Sequence, residues 1–170
     1  MNLALLILRL TVGLLMMGHG SQKLFGLFGG HGLRGFGGWL GSLGYLPAMA
    51  WAVAGVAADV IGGLLFALGF LSPLGTIGIG AAMLTAITKA HWPKLWSQNG
   101  GFEYPLVLLV VAVAVGISGP GAYSLDALLG TGLPPSLAAI IAAAAVVGYL
   151  YGVIHSARRP AVSQTGPAAA

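Results

Sequence analysis

Five long apolar runs, separated by glycines, prolines and short polar stretches, dominate the hydrophobic pattern of this 170-residue chain. They extend over Leu3–Phe25, Ala48–Leu71, Leu74–His91, Tyr104–Ser118 and Ser136–His155. A hydrocarbon core ~30 Å thick takes about 20 residues of helix to cross, so each run predicts a membrane-spanning helix, the fourth being the shortest and starting near Phe102. The breaks have chemical causes. Ser72-Pro73 divides the second run from the third, because proline disfavours a helical residue before it and opens a helix well. Trp92-Pro93 stops the third, Gly119-Pro120-Gly121 ends the fourth, and Pro134-Pro135 opens the fifth. Between Gly26 and Pro47, Leu33, Phe36, Trp39, Leu40 and Leu43 recur at helical spacing. This predicts a short helix lying in the interface plane with Trp39 near the headgroups; the alternative is a loop packed on the bundle. Ser124–Leu129 predicts a second short surface helix with Ser124 as N-cap.

Composition agrees with that pattern. The chain is 58% hydrophobic and 6% charged, whereas a soluble domain carries about 25% charged residues, so it cannot cover itself with a water-facing surface. Its 29 glycines suit close helix approach in lipid. Without cysteine there is no disulfide framework, thiolate metal site or cysteine nucleophile. The net charge of +4 is too dispersed for a nucleic-acid surface, which needs clustered basic side chains. No cleavable leader is expected, because the first apolar run lacks a basic head and holds Arg9 in its interior. The fold class is therefore all-α, a polytopic transmembrane helical bundle. Residues 1–130 form its four-helix core, 131–157 an additional transmembrane helix and 158–170 a disordered tail. Lys23, Arg34, Lys89, Lys94, Arg158 and Arg159 all fall on one face of a five-span topology. The excess of Lys and Arg on cytoplasmic loops then puts the C-terminus in the cytoplasm and the N-terminus outside.

The candidate chemistry begins at Asp59, the only charged side chain between Arg34 and Lys89. A carboxylate inside a membrane costs about 2.5–3.5 kcal/mol on insertion scales and usually faces a bundle interior or a polar path. At about 100° per residue, Arg9, Gly13, Met16, Gly20 and Lys23 form one stripe of the first helix, with His19 at its edge. Gly55, Asp59, Gly62, Gly63 and Phe66 share a face of the second, and Gly78, Ala82, Thr85 and Lys89 a face of the third. Helices should meet along these stripes, with Asp59 pairing to Arg9 or to Lys89, in a structural or a functional role. His19 and His91 are of the type that ligates haem or a metal. No His-x-x-His or Glu-x-x-His spacing accompanies them, so no metal site is expected. Glu103 suits the first turn of the fourth helix, where the macrodipole favours an anion. Lys89, His91, Lys94, Glu103 and Tyr104 should gather at one membrane face with Gln22 and Lys23, a cluster suited to a quinone headgroup or an anion.

Three separated motifs carry a family resemblance. His19-Gly-Ser-Gln-Lys-Leu-Phe-Gly26, Gly100-Gly-Phe-Glu-Tyr-Pro-Leu106 and Gly119-Pro-Gly-Ala-Tyr-Ser-Leu-Asp126, together with Arg9, make Leu3–Leu129 resemble the DoxX family of small bacterial membrane proteins. The resemblance implies a four-helix bundle in the bacterial inner membrane and, more loosely, membrane redox chemistry linked to quinones. By that analogy Arg9, His19, Gln22, Lys23, Lys89, Glu103 and Tyr104 are site positions. Asp59 stands where relatives usually carry Glu, and the fifth helix lies beyond the usual family core.

The expected function is an accessory or quinone-interacting component of a membrane redox complex, with no intrinsic cofactor and with quinone as the ligand. Its partners would be the lipid membrane, other membrane or soluble redox subunits, or further copies of itself. Two alternatives are a non-enzymatic assembly subunit and a small-solute or proton pathway. The residues at stake are Arg9, His19, Gln22, Lys23, Asp59, Lys89, His91, Glu103 and Tyr104; a catalytic role is assigned to none.

Overall fold

A computed structural model of the chain describes residues 1–157; the tail expected at 158–170, with Arg158 and Arg159, lies outside the described residues. Helix α1 (Asn2–Phe25) leads to α2 (Gly32–Ser42), α3 (Ala48–Leu68) and α4 (Leu74–Thr85), whose last turns widen into a π-helical segment, Ala86–His91. They are followed by α5 (Glu103–Ser118), the single-turn α6 (Leu125–Leu129) and α7 (Pro135–Ala157), and no strand occurs among the described residues. Three of these, α1, α3 and α7, are long and apolar enough to cross a membrane. With its π continuation α4 reaches the same stretch that the hydrophobic run predicts, and α5 is a shorter apolar helix.

Side-chain distribution shows why the helices bundle. On α1, Leu3, Ile7, Leu10 and Leu14 face outward, whereas Arg9, Val12, Gly13, Met16 and Gly20 are buried. Leu5, Val12, Met16, Phe66, Ile79, Met83, Leu108, Ala112 and Val115 then make one core from α1, α3, α4 and α5. The polytopic four-helix core is thus present, with α7 added outside it. Glycine sets the tightness of the α1–α3 seam: a Cβ on Gly63 would lie 2.8 Å from the Gly13 carbonyl oxygen and 3.0 Å from Met16 Cβ. Only backbone without side chain permits that approach, as in other lipid-embedded helix pairs.

The stripes expected on α1 and α3 are those that bury, except that Lys23 and Gly55 are half-buried. On α4 the fully buried face is Gly75, Ile79 and Met83, one position from the expected stripe, and Gly78, Ala82, Thr85 and Lys89 flank it. Helix α3 stops at Leu68 rather than Leu71, because Gly69 takes a left-handed conformation (φ 62°, ψ 48°) and closes the helix. The predicted helix between Gly26 and Pro47 exists as α2. It is packed on the bundle through Leu40, buried with Tyr45 and Ala52, while Trp39 stays 41% exposed. Ser124 caps α6 as expected, its Oγ accepting from Ala127 N at 3.2 Å.

The connections sort to two ends. At one, α6 and its approach fold over the α3–α4 turn: Asp126 N donates to Gly69 O at 3.1 Å, and Ala122 N donates to Asn2 Oδ1 at 3.2 Å. At the other lie α2, the π segment and the α4–α5 loop.

Candidate functional site

Between α1, α2, α3, the π segment and α7 lies a cavity of about 560 Å³, within the size range of small-molecule sites. Its wall is aromatic and small-residue apolar for the most part, formed by Phe36, Trp39, Tyr45 and Trp51 together with Ala54, Gly55, Ala58, Ala81 and Ala82. His19, Lys23, Thr85, His91, Ser97, Tyr104 and Tyr149 supply the polar groups.

Each polar group is placed by a local cause. Gly20 brings α3 against α1: a Cβ there would stand 3.1 Å from both Asp59 Cβ and Val60 N. Less than one turn further along α1, Lys23 reaches across and its Nζ donates to Asp59 Oδ2 at 2.6 Å. Asp59 is fully buried, while Lys23 keeps 26% of its side chain exposed, with Nζ 4.9 Å from the centre of the Phe36 ring. A cation over an aromatic face gains further attraction. The second carboxylate oxygen, Oδ1, has no hydrogen-bond partner. His19, one turn before Lys23, stacks on Tyr104 of α5 with ring centres 5.7 Å apart. His91 Nδ1 donates to Gly100 O at 2.8 Å, which ties the end of the π segment to the following loop. Wide π turns recur at functional sites, and this one carries Ala86, Ala90 and His91 into the wall.

The expected residues divide into groups. His19, Lys23, His91 and Tyr104 line the cavity, and Asp59 lies directly behind Lys23. Gln22 turns into an adjoining hollow with His31, Gly35 and Trp39, its Nε2 3.4 Å from Phe28 O. Lys89 faces α7 instead and donates to Val153 O at 3.3 Å. Glu103 is spent on its own loop, accepting from Ser97 N and Ser97 Oγ, both at 3.0 Å.

Arg9 is at the opposite end, and the expected pairing of Asp59 with Arg9 or Lys89 is corrected to Lys23. The reason is register. Fourteen residues of helix, about 21 Å at 1.5 Å per residue, separate Arg9 from Lys23 along α1. Arg9 Nη2 donates to Tyr123 O, the residue is 1% exposed, and its Nε and Nη1 have no hydrogen-bond partner. Asp126 in turn accepts from Leu71 N and Ser72 N, each at 2.8 Å, and from Thr131 Oγ1 at 3.1 Å.

Two features went unanticipated. The aromatic wall of Tyr45, Trp51 and Tyr149 has no local signature, since it joins the α2–α3 loop, α3 and α7. The bracket of Asp126 around the α3–α4 turn did have one. Connection parity puts Asp126 and the start of α1 on the same membrane side, so an acid was available to Arg9 there.

Among the described residues no group of three or more His, Asp or Glu side chains gathers as a metal site.

The family model described as DoxX matches residues 4–92, more than half of the chain. The chain belongs to the DoxX family. The matched stretch holds α1 to the π segment and hence His19, Lys23, Asp59 and His91. It stops before the Gly100–Leu106 and Gly119–Asp126 runs and before α7, so this DoxX protein completes its cavity with a helix outside the matched region. Comparison with curated proteins and with solved structures finds no match.

Proposed function

We propose that this DoxX protein is a quinone-interacting component of a membrane redox assembly, seated in the bacterial cytoplasmic membrane with the cavity end toward the cytoplasm. The observation that carries the proposal is the cavity itself: about 560 Å³ of largely apolar and aromatic space with a few convergent polar groups at one end. That is the usual form of a site for a planar organic ligand. The Tyr104 hydroxyl, the His19 ring and the Lys23 ammonium are donors at its rim, the set a quinone carbonyl needs. The rings of Trp39 and Trp51 offer faces for stacking. A bound quinone would accept electrons from a companion subunit, and Lys23 with Asp59 would hold a proton next to its carbonyl.

The test uses the intrinsic fluorescence of Trp39 and Trp51 in nanodiscs, with Trp92→Phe and Trp96→Phe removing the two tryptophans outside the cavity. A decyl-substituted benzoquinone should quench this signal saturably, and His19→Ala should weaken the effect. Linear, non-saturating quenching at every concentration would overturn the proposal. The orientation is tested separately, using the absence of native cysteine. A cysteine replacing Gly132 should label with a membrane-impermeant maleimide in intact spheroplasts, and one replacing Gly100 should not.

A further inference from the structure

We infer that α7 turns the quinone site into a chamber for a neutral amphiphile, holding the ligand's apolar chain against Ala145 and Gly148 with its head at His19 and Tyr104. This inference rests on the quinone reading and specifies the ligand class.

Three observations converge. First, α7 is pinned at one end and stands off in the middle. Near its C-terminus Gly152 is wedged under two rings, where a Cβ would lie 2.9 Å from Tyr45 and 3.1 Å from Trp51. Lys89 Nζ donates to Val153 O at 3.3 Å just beyond. One turn earlier, at Gly148, a Cβ would meet no atom within 4 Å, yet Gly148 and Ala145 both line the cavity. The gap between α7 and the bundle is therefore cavity space.

Second, the cavity is polarised along the bundle. His91 and Tyr104 mark its loop end, and Ala81 on α4 and Ala145 on α7 lie at its other end. Ten residues of helix separate Ala81 from His91, roughly 15 Å, which is half the thickness of a hydrocarbon core. Polar groups at the interface and small apolar residues at depth match an amphiphile with a compact head and a chain.

Third, the charge at the head end is already balanced. Lys23, the ammonium in the wall, sits 2.6 Å from the Asp59 carboxylate. A phosphate or carboxylate head would have to compete with that carboxylate for the same cation, in a setting where charge is costly to bury. A neutral carbonyl can accept from Lys23 without displacing Asp59.

Gly148→Leu in the nanodisc-embedded full chain tests this, since the added side chain enters open space and leaves the packing intact. Two probes are compared by Trp39 and Trp51 quenching: a decyl-substituted benzoquinone and the same ring without its chain. The substitution should weaken the decyl compound about tenfold and leave the tail-free ring within about twofold, roughly 1.4 against 0.4 kcal/mol at about 1.4 kcal/mol per factor of ten. Ala145→Leu should repeat the result. Dodecyl phosphate should not compete with the decyl compound. Equal weakening of both rings, or no weakening of either, overturns the chain chamber while the quinone site stands. Effective competition by dodecyl phosphate overturns the preference for a neutral head. If the unsubstituted protein binds neither ring, the quinone reading fails and this inference falls with it.

Discussion

Each end of the bundle buries one basic side chain near one carboxylate, but the two arrangements are built differently. At the α6 end, Arg9 is enclosed by backbone: Tyr123 O takes one of its donors, and Asp126 spends its oxygens on Leu71 N, Ser72 N and Thr131. The adjoining void is about 20 Å³, room for water and little else. At the α2 end, Lys23 and Asp59 touch directly, one carboxylate oxygen is left without a partner, and about 560 Å³ of cavity opens beside them. The first is a clamp that holds the α3–α4 turn to the bundle, and the second is a polar edge on a hollow. Buried charge alone therefore says little about function; unused hydrogen-bonding capacity remains at both ends, on Arg9 Nε and Nη1 and on Asp59 Oδ1, and what separates them is the space beside it.

Breaking the clamp should have the largest effect. Asp126→Ala leaves two half-buried backbone N–H groups, those of Leu71 and Ser72, without acceptors, and an unsatisfied buried donor costs about 1–3 kcal/mol. It also removes a negative charge from the end of the bundle that buries Arg9, which adds to that cost. A fall of that order in the stability of the detergent-solubilised protein is expected, read as a lowered thermal unfolding midpoint. Quinone quenching measured in the cold should not change. A variant as stable as the parent would show that Asp126 clamps nothing.

The pair at the cavity comes next. Lys23→Met strands a carboxylate that is fully buried, but Lys23 itself is 26% exposed, so the cost should fall at or below the ~3 kcal/mol low end for buried pairs. Lys23→Met combined with Asp59→Leu should recover most of that stability without recovering quinone binding. The same double replacement would be the outcome to fear for the functional reading: restored stability with undiminished binding makes the pair mere packing.

Much of the bundle was legible because its signals are local. A hydrophobic run bounded by Ser72-Pro73 or Trp92-Pro93 announces a helix from its own residues, and Ser124 announces its cap. The inward stripes of α1 and α3 follow from 100° per residue alone. Pairing does not, since Asp59 meets whichever basic group the α1–α3 register sets opposite it. That register is fixed by glycines at 13, 20 and 63 acting together. Arg9 and the Tyr123 carbonyl are 114 residues apart in sequence. Glu103 looked like a site residue because it shares a motif with Tyr104, and only the loop conformation shows that it serves Ser97.

Two glycines of α1 sharpen the comparison at smaller cost. At Gly18 an added Cβ meets nothing within 4 Å, whereas at Gly20 it would stand 3.1 Å from Asp59 Cβ and from the Val60 backbone nitrogen. Gly20→Ala should cost about 1–3 kcal/mol through overpacking and weaken quinone binding as Lys23 and Asp59 shift. Gly18→Ala should be neutral or stabilising by up to about 1 kcal/mol, since alanine replaces glycine inside a helix. Equal effects at both positions would mean that the α1–α3 approach does not set the pair.

The smallest structural change is the most discriminating for function. Tyr104→Phe keeps the ring stacked on His19 and removes only an oxygen, so stability should stay within about 0.5 kcal/mol of the parent. If that hydroxyl donates to a ligand carbonyl, losing one hydrogen bond of about 0.5–1.5 kcal/mol should weaken quinone binding roughly two- to tenfold. Its neighbour supplies the control. Glu103 is not part of the cavity wall and reaches it only through Ser97, from which it accepts, so Glu103→Gln, which keeps an oxygen for Ser97, should change binding less than Tyr104→Phe does. Adjacent residues of one motif would then behave differently: position 104 acts on the ligand directly, and position 103 acts on the loop. Were Glu103→Gln to weaken binding as much as Tyr104→Phe, the whole loop, rather than the cavity rim, would be the element that recognises the ligand.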